Sequence, residues 1–283
     1  MSTLYLVATP IGNLEDMSER GNRILSEVSL IAAEDTRRTR HLLTHYGIST
    51  PLLSYHAHNE RGRRARVLVA LDDGDVALVS DAGTPGISDP GNDLIAAVVE
   101  RGHTVSPIPG PSALTAAVSV SGLVSGPFLT LGFLPRQKAD RQRLIGQASV
   151  SPFPIVLFEA PSRLRSTLLA LTDAWGNRPA ALMRELTKRH EEIVWGTLDD
   201  LLARYADDEP RGEIVLVVGA SAGDEAVDLS DAADLLQRLR RSGLSPSQAA
   251  REAASITGLK RSDLYELAQR SGGMSEAANP DSR

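Results

Sequence analysis

Short apolar runs alternate with longer amphipathic segments over most of the chain, and this pattern predicts strands that alternate with helices. The predicted strands are Leu4–Ala8, Val28–Ala33, Leu52–Tyr55, Val76–Ser80, Thr104–Ile108, Phe128–Phe133, Ile155–Phe158, Ala180–Arg184, Glu192–Gly196 and Arg211–Val218. From residue 224 onwards the pattern is helical only, and three short helices are predicted at Ser230–Ser242, Ser245–Thr257 and Lys260–Ser271. The predicted fold class is therefore α/β, followed by a small helical module.

Breaks in this alternation indicate where the chain divides into domains. The segment Gly122–Pro127 is rich in Gly, Ser and Pro, and we expect a hinge there between two consecutive α/β domains, 1–121 and 122–222. The helical module covers 228–271, and its spacing fits a helix-turn-helix module and a capping bundle equally well. We predict that the polar tail, 272–283, is disordered.

The most distinctive stretch follows the strand Val76–Ser80 and reads DAGTPGISDPG. Glycine allows the backbone to approach a ligand closely, and proline keeps a loop stiff. An ordinary connection is shorter and poorer in both residues. Because small molecules bind at the carboxyl ends of strands in open α/β sheets, we interpret this stretch as a ligand-binding loop.

Two further loops carry Pro and Gly directly after predicted strands. Thr9–Asn13 follows the first strand, and Pro109–Ala113 follows the strand Thr104–Ile108. Pro111 suits a first helical turn, and the free amides there, beside Ser112, form a site for a polar or anionic group. We expect all three loops to converge on one rim of the first sheet.

Composition narrows the class of protein. No apolar run approaches the length of a membrane span, and the amino terminus carries no signal sequence. The absence of cysteine excludes disulfides, thiolate metal sites and cysteine nucleophiles. We therefore expect a cytoplasmic protein with no membrane partner.

Charge is unevenly distributed along the chain. The net charge of −6 argues against a protein that coats nucleic acid non-specifically. Basic residues nevertheless cluster at Arg37-Arg38-Arg40, Arg61-Arg63-Arg64-Arg66, Arg136-Lys138-Arg141-Arg143 and Arg238-Arg240-Arg241. These clusters make a surface with one basic side plausible.

Several kinds of chemistry lack their sequence signature. The chain has no G-x-G-x-x-G after its first strand, no G-x-x-x-x-G-K-[ST] and no G-x-S-x-G elbow. His56 and His58, with Glu60 nearby, suggest a metal site, but no further ligand set stands out. We interpret them as a polar loop or helix cap and predict no metal. What remains is a crevice lined by backbone, which suits a cofactor held through main-chain contacts.

A set of motifs distributed over Leu4–Val218 supports a more specific reading: TPIGNLEDMSER, AEDTRRTRHLL, SDAGTPGISDPG, PGPSA, FEAPSR, RELTKRHEE and RGEIVLVV. In this order they resemble the tetrapyrrole methylase superfamily and, more narrowly, its RsmI-type branch of 16S rRNA (cytidine 2′-O)-methyltransferases. The resemblance implies the class III methyltransferase fold, with S-adenosylmethionine bound between two α/β domains, and a homodimer. It also implies a target: the ribose of a cytidine in the decoding centre of 16S rRNA, within the small ribosomal subunit.

The resemblance also implies roles for individual residues. The cofactor would contact Pro10, Ile11, Asp81, Thr84, Pro85, Ile87, Ser112 and Ala113, together with Ala160 and Met183 of the second domain. Methyl transfer to a ribose hydroxyl needs a group that removes a poorly acidic proton. The candidates at strand ends are Asp35, Arg184, Glu185 and Lys188.

We assign Glu185 or Lys188 as the base, with Arg184 orienting the ribose. The alternative is that the Arg-Glu-x-x-Lys group forms an ion-paired brace between the domains. Two other functions also stay open: methylation of a tetrapyrrole carbon by the same fold, and a ribosome-binding or assembly factor without catalysis. The basic clusters and the helical module favour a large RNA substrate.

Overall fold

The computed structural model describes residues 1–89, 91–206, 210–221, 229–241, 244–257 and 259–270. Contacts between residues divide the chain into two compact units, Met1–Ser221 and Ala222–Arg283. The predicted tail, 272–283, lies outside the described residues, as do the predicted helix ends at Ser242 and Ser271. Among the helices that are described, none has the length and hydropathy needed to cross a membrane.

The first half of the larger unit is a parallel sheet between two layers of helices. Its elements are β1 (Thr3–Val7), a 3₁₀ turn (Leu14–Asp16), α1 (Glu19–Glu27), β2 (Leu30–Ala33), α2 (Thr36–His45), β3 (Leu52–Ser54), α3 (Glu60–Asp73), β4 (Val76–Val79), α4 (Asn92–Glu100), β5 (Thr104–Ile108) and α5 (Ala113–Ser121). The strand order is β3-β2-β4-β1-β5, with every pairing parallel. Helices α1 and α2 cover one face, and α3 and α4 cover the other. This double cover explains why β4 is apolar and buried at every position.

The second half contains a mixed sheet. Its elements are β6 (Leu129–Phe133), α6 (Lys138–Ala148), β7 (Ile155–Glu159), a 3₁₀ turn (Pro161–Arg163), α7 (Leu164–Trp175), β8 (Pro179–Arg184), β9 (Glu192–Thr197), α8 (Leu198–Arg204) and β10 (Ile214–Val218). The order is β6-β7-β10-β8-β9. Strands β6 and β7 pair in parallel, and the remaining pairings are antiparallel.

The two faces of this second sheet are covered from different parts of the chain. Helices α6, α7 and α8 pack on one face. On the other face lies α5 from the first half, where Ala117 is buried against Val156, Ala181 and Val217. The halves therefore share a core, and the domain boundary near residue 122 stays a prediction.

The smaller unit contains the three predicted helices: α9 (Leu229–Arg241), α10 (Pro246–Thr257) and α11 (Arg261–Arg270). They pack around a core of small and aliphatic side chains that includes Leu236, Ala249 and Leu264. Ser245 and Gln248 cap the start of α10 reciprocally. The Ser245 Oγ accepts a hydrogen bond from the Gln248 backbone N–H at 3.3 Å, and Gln248 Oε1 accepts one from the Ser245 N–H at 3.0 Å.

Candidate active site

The three Pro- and Gly-rich loops meet at the carboxyl edge of the first sheet, as predicted. The backbones of Thr9 and Gly83 exchange two hydrogen bonds, each 2.9 Å long, which join the first loop to the second. The Thr84 hydroxyl donates to the Pro111 carbonyl at 3.2 Å, which joins the second loop to the third. The parallel arrangement of β1, β4 and β5 places all three strand ends on one edge, so the loops are neighbours.

Left-handed backbone conformations fix the path of the second loop. Gly83 and Gly86 have φ of +81° and +82°, values that side-chain-bearing residues rarely adopt. Ser88 adopts φ of +64° without being glycine. A Cβ on Gly132 of β6 would lie 2.9 Å from Ser88 Oγ, so the loop approaches the second half closely at that point. The loop is therefore held from both sides.

A cleft of about 380 Å³ opens between these loops and the second sheet. This volume lies within the range of roughly 300–1,000 Å³ that is usual for small-molecule sites. Its first-half walls are Ile11, Glu34, Arg38, Asp81, Ala82, Gly83, Thr84, Ile87, Ser88, Asp89, Ser112, Ala113 and Leu114. Its second-half walls are Phe133, Phe158, Glu159, Ala160, Pro161, Gly212, Glu213, Ile214 and Val215. Aromatic and aliphatic side chains together with backbone and carboxylates suit a molecule that carries a flat ring and a positive charge.

Most residues predicted to contact the cofactor line this cleft: Ile11, Asp81, Thr84, Ile87, Ser112, Ala113 and Ala160. Pro10 lines an adjoining recess of about 160 Å³, which shares Arg38 and Asp81 with the cleft. Pro85 lines neither of these two cavities, and Met183 is fully buried against α5. The cofactor contacts of all ten residues stay predictions.

Three carboxylates on the first-half wall, Glu34, Asp81 and Asp89, form what we call the carboxylate cluster. Asp81 Oδ1 accepts a hydrogen bond from the Asp35 backbone N–H at 2.9 Å, and Asp81 Oδ2 lies 3.4 Å from Arg38 Nη1. The Asp81 backbone N–H donates to Glu34 Oε2 at 3.2 Å. These bonds connect the end of β2 to the loop after β4.

The environment of Asp89 favours the protonated form of its carboxyl. Burial raises the pKa of its carboxyl to about 6; the Ser80 hydroxyl acts in the opposite direction, and the charges of Glu34 and Asp81 add to the rise. Neither Glu34 nor Asp89 was among the predicted site residues. The available signal was their position within the AEDTRRTRHLL and SDAGTPGISDPG motifs.

The predicted base candidates Glu185 and Lys188 form an ion-paired group outside the lining of the cleft. Lys188 Nζ lies 2.8 Å from Glu185 Oε1 and 3.1 Å from Glu213 Oε2. Burial lowers the pKa of Lys188, but the hydrogen bonds to Glu185 and Glu213 outweigh it, so the net pKa is raised. Burial likewise raises the pKa of Glu185, and hydrogen bonds from Lys188 and the Glu213 N–H outweigh it, so the net pKa is lowered.

This group also joins the two halves. The aliphatic part of the Lys188 side chain lies so close to Gly12 that a Cβ there has no room, and Glu185 lies equally close to Gly212 on the cleft wall. Glu185 and Thr187 adopt φ of +53° and +65°, so the loop that carries them is strained. These contacts favour the brace that the sequence analysis left open.

Arg184 and Asp35 are likewise engaged in local interactions. Arg184 Nε donates to Glu192 Oε2 at 2.8 Å, across the β8–β9 pair. Asp35 caps α2, and hydrogen bonds from the side chain and backbone of Arg37 hold the pKa of the Asp35 carboxyl well below its usual range. Neither residue lines the cleft.

Within the residues that the structure describes, no three His, Asp or Glu side chains are placed to hold an ion. His56 Nε2 lies 3.0 Å from Asn59 Nδ2, a contact between two polar side chains of one turn.

Family models and known proteins match most of the chain. Residues 3–202 match the model of the tetrapyrrole (corrin/porphyrin) methylases. The chain belongs to this family. Residues 226–271 match a second model, described as the RsmI C-terminal HTH domain. The predicted family, its RsmI-type branch and the predicted fold class are thus confirmed, and the protein is a methyltransferase.

Relatives and a solved structure agree with this assignment. A protein of Synechocystis sp. named ribosomal RNA small subunit methyltransferase I is 46% identical to this chain, and the match covers 94% of this chain and 97% of the relative. A protein of the same name from Pseudomonas aeruginosa is 45% identical, and the match covers 95% of this chain and 98% of the relative. The uroporphyrin-III C-methyl transferase of Thermus thermophilus, solved with S-adenyl homocysteine, shares the fold at a TM-score of 0.56 and 16% identity, covering 76% of this chain and 97% of that one. The predicted use of S-adenosylmethionine agrees with these two relatives and this solved structure, all of which are named methyltransferases.

Proposed function

We propose that this protein transfers a methyl group from S-adenosylmethionine to the ribose 2′-oxygen of a cytidine in the decoding centre of 16S rRNA, with the small ribosomal subunit as substrate. The observation that carries the proposal is the identity of about 46% with a protein named ribosomal RNA small subunit methyltransferase I, over 94% of this chain. Members of one fold act on unrelated substrates, so the likeness in fold alone would not choose RNA.

The charge distribution supports an RNA substrate. Arg37 and Arg38 lie on α2 beside the cleft, and their side chains are 90% and 65% exposed. Exposed arginines next to a reaction site suit the phosphates that position a bulky RNA.

We further propose a homodimer and a cytoplasmic location. Strand β6 is an edge strand of the second sheet, and it exposes Leu129 and Phe133, with Phe128 just before it. An exposed apolar edge strand is normally covered by a partner. Light scattering on the purified protein tests this, because a monomer at micromolar concentration contradicts it.

We propose that the cofactor contacts the predicted residues that line the cleft and its adjoining recess. Three loops of the first half would hold it through Pro10, Ile11, Asp81, Thr84, Ile87, Ser112 and Ala113, with Ala160 from the second half. The contacts of Pro85 and of the buried Met183 stay predictions from the motifs. We propose that Arg184, Glu185 and Lys188 act as the brace that supports this cleft, and that Asp35 fixes the start of α2 beside it. Lys188→Ala and Glu185→Ala distinguish a brace from a base. Loss of turnover with unchanged folding stability would support a role for these residues as the base.

The deciding experiment uses small ribosomal subunits from a strain that lacks this gene. Incubation with the protein and tritiated S-adenosylmethionine should label 16S rRNA, and primer extension should place one ribose methylation at a cytidine of the decoding centre. Binding of the protein to the subunits with no incorporation of tritiated methyl groups would indicate an assembly factor. Label in a tetrapyrrole but not in RNA would indicate a C-methyltransferase of the same fold.

A further inference from the structure

Within the described residues, Asp81 is the one member of the carboxylate cluster that forms a salt bridge. Asp81 is paired with Arg38, and Glu34 receives the Asp81 N–H. Asp89 takes part in no salt bridge anywhere in the described part of the chain. Burying a carboxylate without a cation is costly, so such a group is unusual unless it has a task.

The surroundings of Asp89 favour the protonated form of its carboxyl. Its pKa of about 6 means that it is ionised at neutral pH, yet holds a proton more readily than an ordinary aspartate. The other charged residues that line the cleft are Glu34 and Asp81 in the cluster, Arg38 from α2, and Glu159 and Glu213 of the second half. A base poised near neutral pH is what proton removal from a hydroxyl requires.

The backbone holds this carboxylate in a defined place. Ser88, its neighbour in sequence, has a left-handed conformation and packs against Gly132 of the second half. Ser88 lines the same wall of the cleft as Asp89, and Thr84 anchors the same loop to Pro111. Positioning of this kind is what general-base catalysis needs.

We propose that Asp89 is the general base that accepts the proton of the ribose 2′-hydroxyl during methyl transfer. The inference rests on the proposed function and adds to it the residue that performs proton transfer. Bound S-adenosylmethionine supplies an electrophilic methyl group on a positively charged sulfur. The ribose oxygen forms the new bond to that methyl carbon while the carbon–sulfur bond breaks, its electron pair stays on sulfur, and the hydroxyl proton moves to Asp89.

The other candidates are less suited to this task. Asp35 is hydrogen-bonded by Arg37 and has a lowered pKa. The raised pKa of Lys188 keeps its amine protonated at neutral pH, and a protonated amine cannot accept a proton. Glu185 has a lowered pKa, and its Oε1 accepts hydrogen bonds from Lys188 Nζ and the Glu213 N–H, which stabilise its charged form.

The test compares Asp89→Asn with Asp93→Asn, which makes the same change in the exposed first turn of α4, outside the cleft. Single-turnover methyl transfer to small subunits should fall by about 100-fold or more in Asp89→Asn and stay within twofold in the control. Calorimetry should show that both variants bind S-adenosylhomocysteine with unchanged affinity. Asp89→Glu, which keeps a carboxylate, should restore part of the rate.

The pH dependence identifies the role more sharply. The wild-type rate should rise with pH up to about 6 and then level off, and this inflection should be absent in Asp89→Asn. Since Asp89 shares its environment with Glu34 and Asp81, the inflection belongs to the cluster until the variant assigns it.

Four outcomes separate the possibilities. A rate within threefold of the wild type in Asp89→Asn overturns the assignment. Loss of S-adenosylhomocysteine binding together with loss of the rate indicates a structural role and also overturns the assignment. Weaker binding of S-adenosylmethionine with unchanged binding of S-adenosylhomocysteine indicates recognition of the sulfonium charge, and it overturns the assignment as well. If the wild type itself methylates no RNA, the proposed function has failed and the inference with it.

Discussion

The raised pKa of Asp89 predicts a pH-dependent change in folding stability when the carboxyl is removed. The carboxyl has a pKa of about 6 in the folded protein and about 3.8 as an isolated side chain. A difference of about two pKa units corresponds to about 3 kcal/mol of folding free energy. Because the side chain is only partly buried, solvent screening reduces the expected effect to about 1–2 kcal/mol.

The sign follows from proton binding. Between pH 4 and pH 6 the folded protein binds more protons at Asp89 than the unfolded chain does, so the contribution of this group to stability is present below pH 4 and is lost as pH rises through 6. Asparagine does not titrate, and the free energy of unfolding of Asp89→Asn relative to wild type should therefore rise by about 1–2 kcal/mol between pH 4 and pH 7.5. Urea titrations at several pH values measure this difference.

Asp93→Asn again serves as the matched control, and its stability relative to wild type should vary little over the same pH range. A difference between Asp89→Asn and wild type that is independent of pH, or that falls as pH rises, would refute the reasoning. Such a result would mean that the carboxyl is well solvated or paired with a cation in solution.

Other features of the fold give further testable expectations. Gly83→Ala places a Cβ at φ of +81° in the loop, a left-handed conformation that costs a residue with a side chain about 1–2 kcal/mol. Calorimetry should therefore show about tenfold weaker binding of S-adenosylhomocysteine. The control Gly47→Ala, at φ of +69° with nothing within 4 Å of the new Cβ, should leave that affinity unchanged. Leu168→Ala removes a fully buried side chain from the core of the second half, and urea unfolding should show a loss of about 2–5 kcal/mol. Lys188→Met leaves the partly buried Glu185 without its cation and should cost about 1–2 kcal/mol by the same method; no loss of stability would contradict the brace.

The sequence was sufficient for the first half of the protein because its signals are local. The strands β1, β4 and β5 each end in a loop with Gly and Pro, and parallel strands bring their carboxyl ends to one edge, so the convergence of Thr9, Gly83 and Pro111 follows from the order of elements. All ten predicted strands are present, with ends displaced by at most three residues. Ends are set by tertiary pairing that a single sequence does not display.

The sequence was insufficient where distant segments determine the environment. Nothing local indicates that α5 covers the second sheet, or that Met183 is buried beneath it. The pKa of Asp89 depends first on burial and then on the charges of Glu34 and Asp81, all of which the folded structure sets. The pairing of Lys188 with Glu213 likewise joins residues that are distant in sequence. Residue type and spacing identify candidates for chemistry, but charge partners and burial decide among them.

The stiffness of the second loop has a consequence for catalysis. Residues predicted to hold the donor, Asp81 and Thr84, and the proposed base Asp89 lie on one loop, which is joined to Thr9, to Pro111 and to the second half through Ser88. In-line attack tolerates little error in the positions of methyl group and oxygen, and a base must be placed with similar accuracy. A single rigid segment that carries both the donor-binding residues and the base fixes the distance between them without further contacts. This requirement accounts for a run of Gly, Pro and left-handed residues that would otherwise be a costly way to connect a strand to a helix.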